Sequence, residues 1–412
     1  MKKLVRPLFA AMAASGLLAG AVHAQGMPEL KFSGFGTLGV ATTDEKNADF
    51  ASTVFQPNGV GGTRSWSIGP DTKLGGQVDA VFSDRWSAVV QVVAQHGYNN
   101  HWTPQLEWAN VKFQATPELS VRVGRIAAPS FLVSDSRFVG YAQPWVRPPV
   151  EVYGVLPITN NDGIDISWRR RFGPVSNTLQ AYYGRAKAKI ESGTATATPS
   201  WGINDAVQLG DLTLRAGYTY NKFDLDLPNV DALLAGISAF GAVPGPVGAQ
   251  ARALANRYNT RGAELSAFSL AASYDPGRWF AMTEVAALKG EGILLDSRSW
   301  YVTGGMRFGT VTPYATYART GADVPTEPGI PLPAAAPLNA GLNATLNNQF
   351  NGTQSTASVG VRWDFMRNAA LKAQYDHIRT GANSAGRLTD VRPGFVRGSD
   401  VNLFSVALDF VF

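Results

Sequence analysis

Beyond the first two dozen residues three histidines remain, His96, His101 and His377, and they are the natural place to look for chemistry. His96 and His101 share one polar segment with Tyr98, Asn99, Asn100 and Trp102, but no carboxylate stands near them in the chain, which makes a poor metal-ligand set. There is no cysteine, hence no thiolate ligand, disulfide or thiol nucleophile. A hydrolase needs a nucleophile whose base is held by a third group, and no Gly-x-Ser-x-Gly, phosphate-loop or dinucleotide fingerprint offers that context. The sequence therefore assigns no catalytic residue, no metal and no cofactor. Charge is more informative. Lys73, Lys112, Arg122, Arg169, Arg171, Arg215, Arg307, Arg362 and Lys372 fall at alternating positions of otherwise apolar segments, as do Asp79, Asp165, Asp364, Asp376 and Asp409. A face on which cations outnumber acids favours anions in the water beside it.

The elements that place those charges are short strands. In 356–365, Thr356, Ser358, Gly360, Arg362 and Asp364 interleave with Ala357, Val359, Val361, Trp363 and Phe365. Segments 164–171, 212–221 and 300–308 repeat the pattern, with Arg170 alone on the apolar side near a strand end. Neighbouring side chains of a strand point to opposite faces, so such segments separate an apolar phase from water. If the apolar phase is lipid, an arginine turned towards its middle costs about 2–4 kcal/mol, and the two faces cannot be exchanged.

Strands are expected over 30–40, 72–82, 86–95, 105–114, 120–126, 163–172, 175–185, 201–209, 212–223, 262–274, 279–288, 298–308, 311–319, 354–365, 370–379 and 401–412. Between them short turns such as Gly173-Pro174, Gly210-Asp211 and Gly309-Thr310 alternate with long segments over 41–71, 96–104, 127–162, 186–200, 224–261, 289–297, 320–353 and 380–400. A soluble sandwich has no reason to alternate its loops in this way, whereas a bacterial membrane barrel has short turns on one side and long loops on the other. Phe82, Trp86, Phe113, Phe172, Tyr274, Trp279, Phe308 and Phe365 recur at the short-turn ends, as an interfacial aromatic girdle requires. Within the long loops, 229–257 has the composition for short helices, while the proline-rich 321–350 is expected to be extended and irregular.

Composition agrees with this architecture. The chain has 412 residues with only 16% charged side chains and a mean hydropathy near zero, and no linker partitions it. Lys2, Lys3 and Arg6, the apolar run from Leu8 to Ala21 and the small residues before Gln25 read as a signal peptide over 1–24, with a barrel over 25–412. Those three residues supply most of the net charge of +5, so nothing argues for a nucleic-acid partner.

The opening strand Leu30-Lys31-Phe32-Ser33-Gly34-Phe35-Gly36-Thr37-Leu38-Gly39, the sixteen strands and the closing Ser405-Val406-Ala407-Leu408-Asp409-Phe410-Val411-Phe412 resemble the Gram-negative trimeric porin family over the whole mature chain. The resemblance implies an all-β transmembrane antiparallel barrel in the outer membrane, a homotrimer, lipid as its surroundings, and recognition of the Phe412 strand by the barrel-assembly machinery. It further implies that the loop 127–162, between strands five and six, folds into the lumen and narrows it. That loop departs from the general-porin pattern in having few acids, Asp135, Glu151 and Asp162, beside Arg137 and Arg147. Arg122 and Arg125 are the nearest wall residues, and Arg169, Arg171, Arg215, Arg307 and Arg362 complete the expected pore lining.

The function read from this is a water-filled channel for passive diffusion of small hydrophilic solutes, with a preference for anions and no enzymatic activity. The alternative is a solute-selective channel for an anionic nutrient, recognised through Trp145, Arg147 and Tyr153. A barrel enzyme and an adhesin are the remaining classes. Neither has its mark in the sequence.

Overall fold

Strict alternation leaves each strand with one apolar and one polar face, and the only way to satisfy every backbone group in lipid is to close the sheet on itself. The computed structural model, which describes residues 28–156, 158–190 and 193–412, shows this closure; the expected leader over 1–24 lies outside the described residues. The strands are β1 (Glu29–Thr43), β2 (Lys73–Val81), β3 (Trp86–Gln95), β4 (Gln105–Gln114), β5 (Leu119–Ala127), β6 (Asn160–Phe172), β7 (Val175–Ile190), β8 (Gly193–Leu209), β9 (Leu212–Asp226), β10 (Ala263–Tyr274), β11 (Trp279–Gly290), β12 (Ser297–Met306), β13 (Val311–Ala322), β14 (Gln354–Met366), β15 (Ala369–Thr380) and β16 (Asp400–Val411).

Each strand pairs antiparallel with the next, giving a closed barrel of 16 strands. The seam lies at β1. Its beginning pairs with β2, from Glu29 opposite Val81, and its end pairs with β16, from Phe35 opposite Val411 to Thr43 opposite Leu403. No edge is left to recruit another chain. Outward positions such as Val123, Val285, Val302 and Val359 are exposed, which is where lipid belongs. The aromatic residues of the short-turn end also face outward and touch across hairpins: Trp86 lies 4.7 Å from Phe113 and Tyr274 5.2 Å from Trp279, ring centre to ring centre. Among the described residues no helix is long and apolar enough to cross a membrane.

Two expectations about the loops need correction. The segment 186–200 is not a loop: β7 runs on to Ile190 and β8 begins at Gly193, with Lys189 opposite Thr194 and Ala186 opposite Ala197. Small residues made this stretch look like a linker, yet Ala186, Ala188, Ala195 and Ala197 keep the alternation on the inner face. The proline-rich 321–350 is irregular only in its first part, because its second part forms helix α4 (Ala336–Thr345), with a proline in the first turn, where the missing N–H costs nothing. The helices expected in 229–257 are present as α2 (Pro228–Ala239) and α3 (Pro246–Arg257), numbered after a single turn, α1 (Val150–Tyr153). Helices α2, α3 and α4 pack together over the outer end of the barrel through Leu234, Ile237, Leu254 and Leu342.

The lipid assignment of the outer face is directly testable. Val359 is 58% exposed near the middle of β14. The variant V359R should unfold from lipid vesicles in urea with a stability lower by about 2–4 kcal/mol than the parent, the cost of an arginine at the bilayer midplane.

Candidate pore constriction

An irregular loop inside a barrel brings with it backbone N–H and C=O groups that have no ladder to join, and each must find a partner. The segment between β5 and β6 enters the lumen and meets those partners on the wall. Lys372, fully buried on β15, donates from Nζ to the carbonyls of Gly140, Gln143 and Trp145 at 2.7, 2.7 and 2.8 Å. Arg362 on β14 donates to the carbonyls of Tyr141 and Gln143 at 2.6 and 2.9 Å. Arg215 on β9 donates to the Pro129 carbonyl. Acceptors on the wall complete the set: Glu284 takes the Leu132 N–H at 2.8 Å, and Gln374 takes the Val146 N–H at 3.1 Å. The Trp145 indole N–H lies 3.0 Å from the hydroxyls of both Thr303 and Thr316.

Arg147 is the loop's second clamp. Its guanidinium forks Asp71 at 2.7 and 2.6 Å, reaches Asp376 at 2.9 Å and Ser405 at 2.5 Å, and lies over the Phe50 ring. Burial opposes the charge, but Asp71 and Asp376 outweigh it and hold the guanidinium more firmly protonated than usual. On α1, Glu151 accepts from Gln354 at 2.6 Å and from the Thr356 hydroxyl. Burial pushes its carboxyl above the ordinary carboxylate range, against the lowering effect of those two donors. The Tyr153 hydroxyl donates to Glu284 at 2.9 Å.

The loop thus covers the wall from β9 round to β16, and the opposite wall stays open. There Arg122 forks Asp165, with Nε at 2.9 Å, and Lys112 stands directly opposite Arg122 in the register. Gln180 also donates to Asp165 at 2.6 Å. Across the gap the exposed Asp135 of the loop is close enough for its charge to be felt by both Arg122 and Arg215. Arg169 and Arg171 follow on the inward face of β6, exposed, and among the described residues neither has a carboxylate within ion-pair distance.

Several residues expected along the pore are placed elsewhere. Arg125 shares the outward face with Val123 and pairs with Asp162 at 2.6 Å near the outer rim. The turn of phase comes from strand geometry: Gly124 opposes Gly163 on the inner side, so its neighbour points out. Arg147 and Glu151 are buried anchors rather than pore walls, and Arg137 is spent on the Tyr153 carbonyl at 3.4 Å. Arg307 lies by the short turn between β10 and β11, forked onto Asp275 at 2.6 and 2.7 Å, away from the loop. Arg362 and Arg215 do face inward but are committed to loop carbonyls. The anchors Asp71, Glu284 and Gln374 were missed, and only Glu284 left a trace, as a lone acid in a segment that alternates poorly.

Two consequences can be measured. Arg147→Met leaves Asp71 and Asp376 buried without a counter-charge, so the barrel should lose about 3–5 kcal/mol of stability against urea; Arg147→Lys, which keeps the charge, should lose less. The second concerns pH. Asp376 and Arg387 face Glu151 from the wall and the last outer loop. Because the folded state raises the Glu151 pKa above the ordinary 4.5, loop packing is favoured while the carboxyl is protonated and weakens as pH rises through the raised value. The variant E151Q should therefore be more stable than the parent at neutral pH and converge with it below about pH 4, read from urea midpoints across the range.

A protein-family model described as Gram-negative porin matches residues 9–410. No curated sequence matches the chain. Among solved structures it is similar to an anion-selective porin from Comamonas acidovorans, at 12% identity over 93% of this chain and 100% of that one, with a TM-score of 0.56. It is also similar to Salmonella typhi OmpF in complex with daunomycin, at 12% identity over 95% and 100% of the two chains, with a TM-score of 0.55. The trimer form of in-vitro folded OmpT from Vibrio cholerae aligns at 12% identity over 94% and 100%, with a TM-score of 0.50. At these identities the likeness shows the barrel, while the match along nearly the whole chain shows the family: this protein belongs to the Gram-negative porins and forms an outer-membrane channel.

Proposed function

We propose that the channel passes small hydrophilic solutes by passive diffusion and prefers anions. One observation carries the preference: on the open wall Lys112 and, nearer the short-turn mouth, Arg169 and Arg171 have no carboxylate partner among the described residues, while the acids Asp165 and Asp364 are each paired with a neighbouring arginine. Unpaired cations along a narrow water path raise the local concentration of anions, and the effect weakens as salt shortens the Debye length from about 10 Å at 0.1 M to about 3 Å at 1 M. Asp135, with Asp79 and Asp205, which are bonded only to the neutral amides of Gln77 and Asn177, opposes them. The likeness to an anion-selective porin supports the same reading.

The reading in which Trp145, Arg147 and Tyr153 recognise a nutrient loses its support, because all three side chains are buried and bonded to the wall or to Asp71. The trimer is proposed on family grounds, and a native-gel mass of three chains tests it. Phe412, exposed and stacked on Phe410, is proposed as the feature that barrel-assembly machinery reads.

Reversal potentials of single channels in a potassium chloride gradient test the anion preference. Chloride should permeate better than potassium at 0.1 M, less markedly at 1 M, and the double variant K112E/R171E should move the ratio towards cations. A parent channel that favours potassium would falsify the preference.

A further inference from the structure

Above the clamp the inner wall changes character. The inward positions nearest the outside on β7, β9, β10 and β11 are Ala188, Ile190, Phe223, Leu225, Leu265 and Leu288, where a water-filled lumen has no use for aliphatic side chains. The helices α2 to α4 cover part of this surface. Between the wall that they leave uncovered, the segment 51–57, the loop residues Val155 and Leu156, residues 348–350 beyond α4 and the segment after β15 there remains a cavity of about 570 Å³ with a predominantly apolar lining. That volume lies in the range of sites for small organic molecules.

One cation reaches into it. Arg387 lines the cavity and donates to the Gly154 carbonyl at 3.0 Å, while its Nε is buried without a hydrogen-bond partner. Among the described residues no carboxylate is within ion-pair distance of it: Glu151 is engaged by Gln354 and Thr356, and Asp390, also on the lining, is forked by Arg392. A buried guanidinium with spare donors beside an aliphatic wall is complementary to a molecule with an anionic head and an apolar tail.

We propose that this chamber is a binding site for small amphipathic monocarboxylates, with the carboxylate on Arg387 and the hydrocarbon chain against Leu225, Leu265 and Leu288. The inference rests on the channel reading, since the chamber lies between the outer loops and the constriction. It adds a solute class to which a plain diffusion pore is indifferent.

The test is block of single-channel current by straight-chain carboxylates from propionate to octanoate, added on the loop side, with the alcohols of equal length as controls for partition into the bilayer. Block should saturate, and its affinity should rise about three- to fourfold per methylene. Arg387→Gln should weaken hexanoate block at least tenfold without changing the alcohol controls. Ala188→Asn, at a half-buried position that tolerates a polar side chain, should flatten the chain-length series should Arg387→Gln fail to fold. Open channels with no chain-length dependence overturn the proposal and leave the channel reading intact. If no current is seen at all, the channel reading fails instead, and equilibrium dialysis of the same carboxylates against the protein in amphipol decides the site by the same dependence on length and on Arg387.

Discussion

The structure depends on buried cations that satisfy loop carbonyls. A loop of irregular backbone inside a barrel would be untenable if its C=O groups faced apolar side chains, since each unsatisfied group costs on the order of 1–3 kcal/mol. Lys372 answers three carbonyls at once and is itself neutralised by Asp409 at 2.7 Å. Asp409 in turn accepts from the Thr37 hydroxyl at 2.5 Å. Thr37 and Asp409 face each other across the β1–β16 register. The loop is therefore pinned at the seam where the barrel closes. Gly140 belongs to this arrangement, because a side chain there would run into Asp409 and Thr37.

This constraint divides the lumen. Cations on β9, β14 and β15 are spent on the loop, and their charge is cancelled or buried. Those on β4, β5 and β6 face water, Arg122 in its pair with Asp165 and with Asp135 of the loop across from it. For the proposed anion preference, the cations that count are those left over after the loop is anchored, and the total on the inner face overstates them. The same division explains the outer half of the wall. Where loop and helices cover the barrel from inside, β7 to β11 present alanine, leucine and phenylalanine inward, and the alternation between apolar and polar fades because both faces are apolar.

That fading marks where sequence reading fails. Strands such as 356–365 were legible because lipid and water impose opposite demands on adjacent residues. The strand around 279–288 was read but alternates poorly, since Phe280, Ala286 and Leu288 point to a packed interior. The hairpin beyond Gly184 was read as a loop for a related reason: its inner face is alanine and its outer face lysine and threonine, a contrast too slight to register. Anchors such as Asp71 for Arg147 and Thr303 for Trp145 were not legible, because their partners are 76 and 158 residues away and no local pattern links them. Arg125 was misplaced by a single step of phase, enough to carry it from the lumen to the outside.

The position of the anchors also orders assembly. Lys372, Asp376, Ser405 and Asp409 belong to the last two strands, so the loop between β5 and β6 has its main partners only when those strands are in place. Before then Arg147 has Asp71 alone, and the carbonyls of Gly140 and Trp145 lack their Lys372 donor. Seating the loop and closing β1 on β16 are therefore one event in energetic terms: Asp409 lies at once in the seam and in the clamp, and neither is complete without it. A channel built this way narrows itself in the same step in which it becomes a barrel.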